Sequence, residues 1–254
     1  PRYTEEFGSL REVGISLSCP EAARIMLNNS KKVEFELSEN NEVVSSYNDI
    51  NAQLFIELLQ SRKIVMDIIQ DRTIDLRKRA VVALLFVDEI QEKIDESEIK
   101  EIKSVREKYL DKGFLEELIN ELEEYRDNEG SKYDDMHEYF KVFKDLKHIT
   151  PDDPLGLNDA LRYFWQTDED EELYIIKHRQ FEEYYKDKLY KFENILVYFV
   201  FRYFMKAVFD YDILAKIKTA LVSYMIIREL AVVRYIENNE WIITWCVGHL
   251  VTMS

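Results

Sequence analysis

From Tyr47 onward, apolar positions recur at helical spacing. Leu54, Leu58, Val65, Ile68 and Ile69 line one face of a long helix ending near Asp71. Asp75 is placed to cap the next, whose inner face carries Ala80, Leu84, Val87 and Ile94. Further helices are predicted at 97–110, 114–127 and 132–147, separated by Gly113 and by Asn128-Glu129-Gly130 as breakers. Pro151–Gly156 is the strongest loop signal, and helices near 157–165, 170–187, 190–209, 212–236 and 239–252 follow it. No fixed-period repeat interrupts this pattern, which argues against a regular solenoid.

The first 46 residues differ. Gly14–Ser18 and Lys31–Glu39 alternate apolar with polar, the second placing Val33, Phe35 and Leu37 on one face. Between them Cys19–Leu27 reads as a short helix, with Pro20 at its first position and Glu21 near its positive end. The predicted fold class is all-α, an irregular array of about ten helices behind a short strand–helix–strand leader. Residues 1–46 form that leader, 47–150 a first helical half and 151–254 a second, aromatic-rich half, packed as one unit.

Composition narrows the function classes. Six Gly and four Pro in 254 residues leave too few turn formers for a β-sandwich, a barrel or a Gly-rich nucleotide-binding sheet. Aromatic residues crowd into 133–211, where Phe192, Leu196, Phe199 and Tyr203 have the spacing of a core stripe. The net charge of −16 repels phosphate backbones and anionic membranes, so neither nucleic acid nor membrane is an expected partner. It favours a cationic substrate or partner. The most apolar runs, Ile195–Phe209 and Ala220–Ile236, carry charged residues and fall short of a membrane span. The start lacks both an apolar signal region and an initiator Met, so the expectation is a soluble, cytoplasmic piece of a longer protein.

Candidate chemistry is sparse. No glycine pair forms G-x-G, and neither a P-loop lysine nor a G-x-S-x-G is present, which removes Rossmann, NTPase and hydrolase readings. Asp134, Asp135, His137 and Glu138 read as a solvated helix start, since no second His follows at i+4. Asp168–Glu172 lacks the spaced ligands of a calcium loop and reads as acids gathered at a helix N-terminus. Two cysteines make no disulfide framework. Cys246 sits in an apolar segment and reads as core, whereas Cys19 precedes a helix whose dipole favours a thiolate.

Three stretches together resemble the flagellin lysine-N-methylase family. Pro1-Arg2 followed by Ser16–Leu27 (SLSCPEAARIML) is similar to the segment after that family's cysteine-rich region. Ile68–Phe86 resembles its Leu-Gln-Asn-Arg motif and the Leu-x-x-Arg helix beyond, with Asp71 where Asn is usual. Lys191–Phe204 resembles its Tyr-x-x-Glu-Asn-Tyr segment, with Ile195 for the central Tyr. The motif residues are Arg2, Pro20, Glu21, Arg24, Gln70, Arg72, Glu193 and Asn194.

The resemblance implies methyl transfer to lysines of flagellin, with S-adenosylmethionine as donor and an iron–sulfur centre in a cysteine-rich N-terminal half. It makes Cys19 a metal ligand only together with that half, and no cofactor is expected on this chain alone. Structure-holding roles are expected of the others: a local Glu21–Arg24 pair, Arg72 at a helix end or salt-bridged to the leader, and Asn194 hydrogen-bonded wherever it is buried. The leading expectation is a substrate-positioning C-terminal helical portion of such a methylase, inactive alone. The alternative is a non-catalytic acidic interaction module.

Overall fold

A computed structural model describes residues 2–39, 50–124, 129–145, 157–167 and 170–238. It opens on an antiparallel hairpin of β1 (Arg2–Phe7) and β2 (Leu10–Ile15), in register from Arg2 opposite Ile15 to Phe7 opposite Leu10. Its two-residue turn places Gly8 at φ +56°, the left-handed side that a tight hairpin turn requires. Helices follow in the order α1 (Pro20–Asn28), α2 (Ala52–Ile69), α3 (Leu76–Asp95), α4 (Ile102–Leu110), α5 (Lys112–Glu124) and α6 (Glu129–Asp145). The remainder are α7 (Leu157–Phe164), α8 (Asp170–Tyr185), α9 (Tyr190–Tyr203), a single turn α10 (Ala207–Asp210) and α11 (Ile213–Asn238). The protein is mostly helical, with about ten helices, as the periodicity predicts.

Three local expectations change. The alternation at Lys31–Glu39 does not become a strand, because no backbone partner lies beside it among the described residues. Leu37 points to solvent, while Phe35 stacks on Phe201 with ring centroids 4.7 Å apart. The sheet forms earlier, around Gly8-Ser9, so β2 ends at Ile15 and the helix starts at Pro20. Gly113 and Gly130 lie inside α5 and α6 rather than between helices. The α4–α5 break instead falls at Asp111, whose Oδ1 accepts from the Phe114 N–H at 2.8 Å. The helix expected over 190–209 is divided by a tighter turn at Phe204–Lys206, and Tyr211 closes it with a φ of +62°. Pro151–Gly156, Cys246, His148 and the helix expected at 239–252 fall outside the described residues.

The core is built around α9. Every residue from Phe192 to Val200 is buried, so this helix is enclosed on all sides rather than striped. It packs against α11, α2 and α1, and α3 closes the layer by contacting both α2 and α11. Asp75 and Asn51 cap α3 and α2 by accepting from the N–H groups of Arg77 and Leu54. None of the described helices is long and apolar enough to cross a membrane.

The hairpin is fastened to this body by charge and by aromatic contact. Glu12, buried on β2, pairs with Arg62 of α2 at 2.5 Å. Burial pushes the Glu12 carboxyl above its ordinary pKa, against the pull of Arg62. Tyr3 lies across Gly14, its cross-strand partner, with the Arg202 guanidinium 4.7 Å from its ring centre. A Cβ on Gly14 would stand 2.3 Å from that ring. Gly14→Ala is therefore expected to displace Tyr3 and lower stability by about 1–3 kcal/mol. An unchanged midpoint in urea denaturation would show that the ring moves aside freely.

Candidate functional site

The C-terminal end of α2 is the place where the motif residues meet. Gln70 is the C-cap of that helix, and its amide takes both hydrogen-bonding groups of Val33. The Val33 N–H donates to Gln70 Oε1 at 2.6 Å, and Gln70 Nε2 donates to the Val33 carbonyl at 3.2 Å. Asp71 Oδ1 accepts from the N–H and hydroxyl of Thr73, which turns the chain toward α3. A carboxylate does this as well as the amide usual in the family. Those hydrogen bonds, with the charges of Lys32 and Arg79, hold its pKa down.

Arg72 and Arg79 converge on one carboxylate. Arg72 reaches Glu193 through Nε at 3.1 Å and Nη2 at 2.8 Å, and Arg79 Nη1 reaches its other oxygen at 2.7 Å. The Glu193 and Arg79 side chains are only 1% and 5% exposed, against 37% for Arg72. Arg72 Nη1 also donates to the Ser30 carbonyl at 2.7 Å, and Arg79 Nη1 donates to the Ile69 carbonyl at the end of α2. Beside Glu193, Asn194 Nδ2 donates to the carbonyls of Met26 and Asn29, each at 2.9 Å. Lys191 completes the set with a 2.9 Å bond to Asn28 Oδ1.

This is a clamp. It ties the end of α1, the end of α2, the start of α3 and the start of α9 around one buried negative charge. Gln70, Arg72, Glu193 and Asn194, scattered over the sequence, are brought together. The expected helix-end and leader roles of Arg72 are divided: Arg72 holds the leader, and Arg79 takes the helix carbonyl. Arg79 was not singled out in the sequence, although the Leu-x-x-Arg spacing from Leu76 was its signal. Two buried atoms here, Arg79 Nε and Asn194 Oδ1, have no hydrogen-bond partner among the described residues.

The other motif residues stand apart. Pro20 and Cys19 start α1, with Cys19 half-buried as its N-cap, making no side-chain cap bond. The nine residues of α1 separate it by roughly 15 Å from Asn29 at the other end, where the clamp lies. Glu21 and Arg24 form an exposed pair at 2.6 and 2.8 Å, and Arg2 lies exposed on β1. His137 stacks on Trp165, and Asp170 accepts from the N–H groups of Gln166 and Thr167. Among the described residues no three His, Cys, Asp or Glu side chains converge on a metal-sized position. With Cys19 their lone cysteine, the described residues do not supply the thiolates of an iron–sulfur cluster.

Residues 62–245 match the family of FliB lysine N-methylase C-terminal domains. The chain belongs to that family. Neither the curated proteins nor the solved structures yield a match. The match takes in the α2 end, α3 and α9, so three walls of the clamp belong to the FliB C-terminal domain, whereas the α1 wall precedes the matched residues.

A second polar network joins α8 to α11 in the FliB C-terminal domain. His178 Nδ1 donates to the Tyr174 carbonyl at 2.8 Å, since a carbonyl can only accept, and Nε2 faces a Glu229 carboxyl oxygen at 2.6 Å. Burial pushes the Glu229 carboxyl up, but His178, Lys132 and Arg228 outweigh it and hold it at about 2. Beside this network lies a cavity of about 680 Å³ between α3, α8 and α11, rimmed by Leu122 of α5. Nothing in the sequence pattern pointed to either feature.

Two measurements follow. Glu193→Gln leaves a buried guanidinium uncompensated and is expected to cost about 3–5 kcal/mol, with Arg72→Ala costing less because Arg72 is partly solvated. Equal losses from the two variants would contradict the buried-charge account. The depressed Glu229 pKa contributes stability that is complete above the ordinary value near 4.5 and lost as pH falls toward about 2. Glu229→Gln should therefore flatten the stability profile across that interval. A variant profile parallel to that of the parent would exclude the linkage.

Proposed function

We propose that this chain is the substrate-positioning helical portion of a flagellin lysine methylase, and that it does not carry out methyl transfer alone. The observation that supports the reading most directly is the convergence of Gln70, Arg72, Glu193 and Asn194 on hydrogen bonds to the protein's own backbone and side chains. Side chains used in this way hold a scaffold. They leave no general base or nucleophile facing a reacting atom. Family membership supplies the lysine-methylase context, and flagellin as substrate follows from the family alone.

The charge balance agrees with this role. A net charge of −16 attracts a lysine-bearing surface and raises the rate of encounter. S-adenosylmethionine and an iron–sulfur cluster, expected of an intact family member, are assigned to residues outside those described. The described part offers neither a glycine-rich phosphate-type turn nor a thiolate set. Cys19, half-buried at the start of α1, is the residue through which the leader would meet such a cluster. The reading places the protein in the cytoplasm, where flagellin is made.

The purified chain, mixed with flagellin and methyl-labelled S-adenosylmethionine, should bind flagellin with a salt-sensitive affinity and transfer no label. Elemental analysis should find no iron. Label transfer would assign catalysis to this chain, and absence of flagellin binding at low salt would remove the positioning role.

A further inference from the structure

Tyr211 stands in a conformation that a bulky side chain resists. Its φ of +62° lies in the left-handed region, where a Cβ crowds the following carbonyl and glycine or asparagine is the ordinary occupant. Hydrogen bonds to its backbone hold it there. The Tyr211 N–H donates to the Ala207 carbonyl at 2.8 Å, which closes α10, and Gln91 Nε2 of α3 donates to the Tyr211 carbonyl at 3.0 Å. Gln91 Oε1 then accepts from the N–H groups of Ile213 and Leu214, at 2.8 and 3.2 Å, and so caps α11. These bonds use the Tyr211 backbone and the Gln91 side chain. A glycine at 211 would keep every one of them.

The tyrosine ring is not drawn into the core either. Tyr211 is 43% exposed, and Phe209, whose ring lies 5.8 Å from that of Phe7, is 51% exposed. Carboxylates alternate with these rings, since Asp210 and Asp212 are both exposed. Asp95 joins them through Gln91, which donates to its Oδ1 at 2.8 Å. Lys216 pairs with Asp210. Asp212 accepts from the Ala215 N–H at 2.8 Å, and among the described residues neither Asp212 nor Asp95 pairs with a cation. The corner between α10 and α11 thus presents two aromatic side chains amid surplus negative charge. An ammonium suits such a surface, because a ring face attracts a cation within about 6 Å and a carboxylate supplies the counter-charge.

We propose that the corner from Phe209 to Asp212 is a docking surface for a basic, lysine-bearing segment of a partner protein. The Tyr211 ring receives an ammonium and Asp212 balances its charge. The strained backbone is kept because it turns an aromatic side chain outward at a position where the fold itself has no use for one. The inference rests on the substrate-positioning reading and gives that reading a surface on the molecule.

Two measurements on the whole chain test this: affinity for monomeric flagellin in low-salt buffer, and the midpoint of urea denaturation. Tyr211→Gly should weaken flagellin binding by about fivefold while the midpoint stays level or rises, since glycine relieves the left-handed strain. Tyr211→Asn repeats the test without the extra chain entropy of glycine, and Tyr211→Phe, which keeps a ring, should bind as the parent does. If both ring-deleted variants bind flagellin like the parent, the proposal is overturned while the positioning reading stands. A lowered midpoint in both would show that the ring serves the fold, and would overturn it too. If the parent itself does not bind flagellin, the positioning reading fails, and a fluorescent hexalysine peptide decides the surface alone. Binding of that peptide by the parent, weakened in Tyr211→Gly, supports a basic-segment surface, and equal or absent binding removes it.

Discussion

One carboxylate, Glu193, carries a constraint on which four elements depend. It is almost wholly buried at the first turn of the central helix, and the two arginines that compensate it come from the turn between α2 and α3 and from α3 itself. A buried ion with one partner is costly, so the geometry has to be kept on every side at once. Arg72 can meet Glu193 and Ser30 only if the leader lies where it does. Arg79 can meet Glu193 and the Ile69 carbonyl only if α2 stops there. The apolar packing of α9 would tolerate small shifts of its neighbours, but the directional bonds at its N-terminal end do not.

The helical body was legible because its signals are local. Asp75 precedes a stripe and caps a helix, and Leu54, Leu58 and Val65 share a face that is buried. Asp111 competed with Gly113 for the same break, and the side chain that accepts a backbone N–H prevailed over the residue that merely lacks a Cβ. The leader was less legible. Val33 alternates with polar neighbours as a strand residue does, yet its hydrogen-bonding partner is an amide side chain 37 residues away. Period-two patterning reports an extended backbone and not the nature of what pairs with it.

The candidate site divides along the same line. Motif residues could be named in the sequence, and their convergence makes physical sense of Asp71 in place of Asn, since the turn needs only an acceptor. Arg79 carried an equal share and passed unmarked, because an arginine inside an amphipathic helix looks like an exposed one until the fold buries it. The cavity and the His178–Glu229 pair are assembled from α3, α8 and α11, elements with no short-range signature of their proximity. Those contacts are decided by packing alone.

The way Gln70, Arg72 and Asn194 grip the leader fixes a length as well as a position. From Met26 to Val33, backbone groups at Met26, Asn29, Ser30 and Val33 are each taken by a side chain anchored in the body. A β-ladder could slip by two residues and restore its pattern, but four backbone positions at uneven intervals, bound by three different side chains of the body, have only one alignment. The stretch is therefore intolerant of insertions and deletions while being permissive toward many of its own side chains, whose backbone does the work. Related chains should vary in amino-acid identity there and keep the count.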